Sequence, residues 1–186
     1  MTKVQPFIAE DFAAVSTLAL DAWRAGLDRD WSVPAGTLKW SCFETADHTI
    51  NCAFSYAFFL ASRAQTAYPP FGEVDALPEA TPADLVDGLR AMTNLLYAII
   101  VAAPPETQAI ISRHPTPRTG SPNDFAARGA HELILHAYDI SCGLGVPFDP
   151  PRETCQRLMD HTAAWPFGEV VRTDDPWSDL LRRSGR

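Results

Sequence analysis

The chain has 186 residues, 46% apolar and 20% charged, which suits one folded domain with its own core and excludes a disordered chain. A net charge of −8 argues against nucleic acid or an anionic membrane surface as a partner. No uncharged apolar run reaches about 18 residues, so no membrane-spanning helix is expected, and the opening MTKVQPFIAEDF lacks the pattern of a signal peptide. The cysteines (Cys42, Cys52, Cys142 and Cys155) form no C-x-x-C pair. They read as reduced thiols of a cytoplasmic protein.

Proline-rich stretches divide the chain into four long helical segments. The first spans about Phe7 to Leu27, where Ile8, Phe12, Val15, Ala19 and Ala22 recur at steps of three and four. The second starts at Ser41-Cys42-Phe43-Glu44, a capping-box pattern, and runs to about Arg63, apolar nearly all round. The third starts at Thr81-Pro82, an N-cap with Pro at the first helical position, and stops at Pro104-Pro105. The fourth starts at Ser121-Pro122, carries Phe125, Gly129, Leu133, Ala137, Ile140 and Leu144 on one face, and is stopped by Gly143 and Gly145. A weaker helix is expected from about Pro151 to Ala163 and a short one near Trp177–Arg182. Strand-like alternation is not evident. The pattern predicts an all-α, up-down-up-down four-helix bundle over residues 1–165, with a C-terminal tail, 166–186, packing on it. The connections 65–79 and 104–120 are long for such a bundle, as functional loops often are.

Chemistry concentrates in the fourth helix, in His131-Glu132-Leu133-Ile134-Leu135-His136-Ala137-Tyr138-Asp139. Glu132 and His136 are four apart, about 40° around the helix and one turn in height, so both can reach one metal ion. They lie at the edge of the apolar stripe, where a carboxylate has to be paired, protonated or bound to a cation. Asp139 shares that edge and is placed to support a ligand. The plainer reading pairs Glu132 with Arg128 one turn earlier. A third ligand has to come from His48, His114, His131 or His161. His131 is expected on the solvated side, opposite the stripe. His114 sits in a Pro-rich loop and His161 in the weaker fifth helix. His48 shares an uncharged face of the second helix with Thr45, Cys52, Ser55 and Phe59, and reads equally well as a hydrogen-bonded core histidine. The cysteines and the Phe54–Tyr56–Phe58–Phe59 cluster read as core, and Asp174-Asp175 as a solvated turn.

Trp40 and His48 on one helix, with Glu132-Leu-x-Leu-His136-x-x-Asp139 on a later one, resemble the DinB-type metal-binding bundles, most closely the mycothiol-dependent maleylpyruvate isomerase group. The continuation Gly143-Leu-Gly145 and the ending Asp175-Pro-Trp177-x-x-Leu180-Leu181-x-x-x-Gly185-Arg186 are similar too. The resemblance implies a divalent metal, zinc by preference, held by His48, Glu132 and His136. Many DinB-like proteins have His where Glu132 stands, and this Glu points to the isomerase-like branch. A site with three protein ligands keeps a position open. The resemblance fills it with a low-molecular-weight thiol, mycothiol, that attacks an electrophilic substrate in an isomerisation or an S-transfer. Asp139 would then tune the site and Arg128 contact an anion. A homodimer is expected on the same ground. That isomerase has a further C-terminal domain that contributes to its active site, whereas 20 residues follow Pro166 here. Maleylpyruvate is therefore not carried over as the substrate. The competing expectations are a hydrolase that uses a metal-bound water, a non-enzymatic protein whose metal is saturated by a fourth protein ligand, and a metal-free bundle with a buried polar network.

Overall fold

The computed structural model describes residues 5–71, 73–112, 116–168 and 170–186. Among them the elements are α1 (Ala9–Ala25), α2 (Cys42–Ser62), α3 (Pro82–Ala102), β1 (Ala109–Ser112), β2 (Arg118–Gly120), α4 (Pro122–Leu144), α5 (Arg152–His161) and α6 (Pro176–Arg183). The fold is the expected all-α, DinB-like bundle with additional C-terminal helices.

Helix starts follow local chemistry. Ser41, Thr81 and Ser121 each accept a hydrogen bond from the backbone N–H three residues on, and Glu44, Asp84 and Asp124 reach back to the N-cap N–H groups. Each cap satisfies N–H groups that would otherwise be orphaned, worth about 1 kcal/mol. The stop of α4 is Gly145, at φ 67°. Gly143 lies in the last turn of the helix, not beyond it. A Cβ there would meet Pro34 O at 2.5 Å and Cys42 Sγ at 2.6 Å, so its role is to let the start of α2 approach α4. Asp175 caps α6 by accepting from the N–H groups of Trp177 and Ser178, so this part of the acidic turn is structural.

Helix directions follow from paired contacts. Tyr56 meets Arg128, and Cys42 lies against Ile140 O, so α2 and α4 are antiparallel. Gly129 abuts Phe12 and Gly26 abuts Leu144, so α1 and α4 are parallel. Gly88 abuts Ile50, and the N–H of Ile110, in the strand β1 that follows α3, bonds Ala64 O, just past α2. Thus α2 and α3 run the same way. The order is up-down-down-up, in place of strict alternation, and residues 63–81 must cross back over the bundle. They do so along α2: Tyr68 stacks on Phe59, Phe71 meets Phe58, Val74 N–H bonds Asn51 and Ala76 N–H bonds Asp47. Parallel neighbours need such a crossover, and that is why this loop is long.

The second long connection holds a hairpin that the sequence did not suggest. β1 and β2 pair antiparallel with a bulge between Ile110 and Ser112, and Ala109 and Ile110 are buried. Strands of four and three residues are too short for alternation to register. The helix α3 is long and apolar enough by composition to cross a membrane, and a third of its most apolar stretch is buried in the bundle. The helix α4 is buried on nearly all sides, because α1 and α2 cover two flanks and the C-terminal segment covers another. Trp177 of α6 packs edge-on against Tyr138, and Phe167 stacks on His131.

Candidate functional site

Two ladders of side chains face each other across α2 and α4. On α2, His48, Cys52 and Tyr56 follow at steps of four, which places them on one face. On α4, Arg128, Glu132 and His136 do the same. The antiparallel packing sets Tyr56 against Arg128 and His48 against His136, with ring centroids of the two histidines 5.3 Å apart. One ligand atom each from His48, Cys52 and Glu132 lies within 4.8 Å of the other two. Cys52 Sγ is 3.4 Å from His48 Nε2, and His136 Nε2 is 3.5 Å from Glu132 Oε2. Trp40 covers the other side of His48, with centroids 5.0 Å apart.

Glu132 is held from one side. Arg128 Nη2 lies 2.6 Å from Glu132 Oε1, Arg128 Nε donates to Tyr56 Oη at 2.9 Å, and Tyr56 donates to the same Oε1 at 3.3 Å. Burial alone raises the Glu132 pKa, but the hydrogen bond from His136 and the charge of Arg128 outweigh it and keep the group a carboxylate. Burial, aided by the Glu132 charge, raises Tyr56 well above its ordinary value, so the phenol keeps its proton and can donate. The result is a carboxylate with Oε1 occupied by the Arg128–Tyr56 pair and Oε2 turned toward His136.

His136 is held from the opposite side. Its Nδ1 faces Asp139 Oδ2 at 3.2 Å, and Arg186 grips Asp139 through both oxygens. Burial lowers the His136 pKa, but its hydrogen bonds with Asp139 and Glu132 raise it more. Burial, with His136 beside it, lowers His48, so its ring is neutral at neutral pH and has a lone pair to offer. Burial pushes Cys52 up to about 12, with Glu132 adding to the effect. Imidazoles, a carboxylate and a thiol are the donor set that a borderline-soft divalent ion such as zinc takes.

The remaining histidines divide as follows. His131, expected on the solvated side, is buried at 6% exposure with its ring stacked on Phe167 at 4.3 Å. The segment after α5 folds over that side of α4, which the helix pattern did not reveal. Its Nδ1 has no hydrogen-bond partner among the described residues, and burial drives its pKa down to about 3. His161 has both ring nitrogens in use: Nδ1 accepts from Phe7 N–H and Nε2 faces Asp124 at 3.1 Å, near the start of α4. His114 lies outside the described residues. Of the groups that face the ladders, Cys52 was visible in the sequence only as a neighbour of His48. The spacing His48-x-x-x-Cys52-x-x-x-Tyr56 was the available signal. Arg186 had no local signal beyond its place in the C-terminal resemblance.

A cavity of about 370 Å³ opens beyond Tyr56 and Arg128. Tyr68 from the crossover, Arg118 from the hairpin, and Trp165 and Phe167 from the C-terminal segment wall it. Both long loops thus contribute to a space next to the ladders. The family model of the mycothiol maleylpyruvate isomerase N-terminal domain matches residues 13–141, which include α2, most of α4 and every ladder residue. No curated protein and no solved structure matches the chain. With the bundle, the facing ladders and a match over more than half its length, the chain belongs to the mycothiol maleylpyruvate isomerase N-terminal domain family.

Proposed function

We propose that this protein is a metal-dependent, thiol-using enzyme of the isomerase or S-transferase type, with His48, Glu132 and His136 as ligands of a divalent ion, zinc by preference. The observation that carries the reading is that two antiparallel helices set His48 opposite His136, with ring centroids 5.3 Å apart, and Glu132 beside both, with Glu132 and His136 each braced from behind; His48 and Glu132 cluster with Cys52, and His136 adjoins that cluster through Glu132. The bracing suits a ligand role: outer partners that fix ring and carboxylate orientation commonly accompany metal ligands.

A bound divalent ion supplies Lewis acidity that lets a thiol at neutral pH act as its thiolate. The chain's own residues do the rest. Arg128 and Tyr56 hold Glu132 so that one oxygen stays turned toward the histidines. Asp139 holds His136 at Nδ1, which keeps Nε2 turned toward Glu132 and the ion, and Arg186 fixes Asp139. The cavity beside Tyr56 takes the body of the thiol or of its electrophilic partner. There Arg118 and Arg128 favour anionic groups, and Tyr68, Trp165 and Phe167 exclude water from an apolar portion. Mycothiol is the thiol that family membership suggests.

Metal content of the purified protein tests the reading, beside His48→Ala, Glu132→Ala and His136→Ala. About one ion per chain, lost in all three variants, supports it. An ion-free wild type after zinc is supplied refutes it. A metal-loaded protein that turns over electrophiles without added thiol favours a hydrolase instead.

A further inference from the structure

We infer that Cys52 is a fourth protein ligand of the same ion, a built-in thiolate that caps the position an external thiol must take. The inference rests on the metal reading above and concerns what fills the position that three ligands leave free.

The geometry comes first. Ligand atoms of a tetrahedral zinc with bonds of about 2.0–2.3 Å lie about 3.3–3.8 Å apart. Cys52 Sγ and His48 Nε2 are 3.4 Å apart, and Glu132 Oε2 and His136 Nε2 are 3.5 Å apart. Each of these two pairs thus has about the separation of two ligands on one ion. Cys52 also belongs to the trio whose ligand atoms lie within 4.8 Å of one another. Helix geometry makes the pairing stiff: His48 and Cys52 are one turn apart on α2, as Glu132 and His136 are on α4. Each helix then presents an i, i+4 pair to the other, with Glu132 joining the His48–Cys52 pair and His136 adjoining it through Glu132.

Chemistry favours the sulfur as an occupant. Thiolate is the softest donor in the cluster, and zinc-type ions accept it readily. Binding the ion displaces the Cys52 proton, which leaves to solvent. A capped site then takes an external thiol by exchange. An external thiol would take the place of Cys52 as its thiolate, and the proton that it gives up would end on the Cys52 sulfur. No net proton is released, and nothing is oxidised or reduced. The cap keeps water off the ion until a competing thiol arrives, which separates this site from a metal–water hydrolase.

The test uses the full chain loaded with cobalt(II) in place of zinc, read by absorption spectroscopy. Without added thiol, the wild type is expected to show a near-ultraviolet sulfur-to-cobalt charge-transfer band along with the visible bands of bound cobalt. Cys52→Ala and Cys52→Ser should keep the visible bands and lose the charge-transfer band. N-acetylcysteine, used as the thiol probe, should restore the band in Cys52→Ala at a concentration at least tenfold below that needed to change the wild-type spectrum. Cobalt bound to the wild type with no sulfur band overturns the cap and leaves the metal reading standing. A band that survives both Cys52 variants assigns the sulfur elsewhere and also overturns it. A wild type that binds no cobalt removes the metal reading and the cap with it. Should neither variant fold, cadmium NMR of the wild type decides: a shift in the thiolate range supports the cap, and one in the nitrogen–oxygen range overturns it.

Discussion

Arg186 forms a two-pronged ion pair with Asp139, Nε to Oδ1 at 2.8 Å and Nη2 to Oδ2 at 2.6 Å, across 47 positions of sequence. Asp139 is 1% exposed, and its second oxygen also faces His136 Nδ1. Burial pushes the Asp139 pKa up, but hydrogen bonds from His136 and Arg186 hold it below the usual carboxylate value. The C-terminal arginine thus reaches the candidate metal ligands through one carboxylate.

This chain of contacts predicts a graded loss of metal affinity. Asp139→Asn should weaken zinc binding about 10–100-fold, the range typical of partners behind a ligand. Arg186→Gln, one contact further out, should weaken it by less, about tenfold at most. Competition with a chromophoric chelator measures both. Equal affinity in wild type and Asp139→Asn would show that the carboxylate does not orient His136.

Arg128 and Tyr56 should matter for stability as well as for Glu132. Arg128→Met leaves a largely buried carboxylate without its cation, the costly way to break an ion pair. Glu132 keeps 18% side-chain exposure, so the cost is put at about 2 kcal/mol, below the fully buried range. For a chain of this size that lowers the Tm by about 4–8 °C. Tyr56→Phe removes only the relay between Arg128 and Glu132 and should cost about 1 kcal/mol. Thermal unfolding by circular dichroism compares the two, and an Arg128→Met protein as stable as wild type would contradict the argument.

Asp124 makes a pH-dependent contribution. Burial raises its pKa, but hydrogen bonds from His161 and from the Ser121 hydroxyl and backbone N–H together hold it below the model-peptide value. A carboxyl whose folded pKa is lowered adds stability above its unfolded pKa of about 3.9 and loses it as pH falls through the folded value. Asp124→Asn should therefore cost about 1 kcal/mol at pH 7, and the gap to wild type should close below about pH 4. Paired melts across pH 3–7 check the sign; a gap that widens in acid would refute it.

Gly143→Ala tests the approach of α2 to α4. The added Cβ would meet a backbone oxygen, Pro34 O, at 2.5 Å, and backbone yields less easily than a side-chain tip. The expected cost is about 1–3 kcal/mol, despite the better helix propensity of alanine. A displaced α2 start would also loosen His48 against His136, so zinc affinity should fall alongside the Tm. Gly145→Ala, where a Cβ meets nothing within 4 Å but φ is 67°, should cost stability and spare affinity.

The sequence by itself determined the helices and the chemistry of α4. Capping pairs at Ser41, Thr81 and Ser121 and apolar periodicity act within a few residues, so they can be read locally. The Glu132–His136–Asp139 spacing places three groups on one helix edge by geometry alone. Other features were decided only by the tertiary structure. The parallel course of α2 and α3 makes residues 63–81 a crossover, and a helix carries no mark of its neighbour's direction. The solvated side expected for His131 became an interior because Phe167, 36 positions later, folds onto it. Cys52 and Tyr56 joined the site because antiparallel packing set one i, i+4 ladder opposite another, and Arg186 joined it because the chain end returns to Asp139. Each of these is a contact between residues distant in sequence. Such contacts are settled by which buried faces and charges can satisfy one another in three dimensions, a choice that no local pattern encodes.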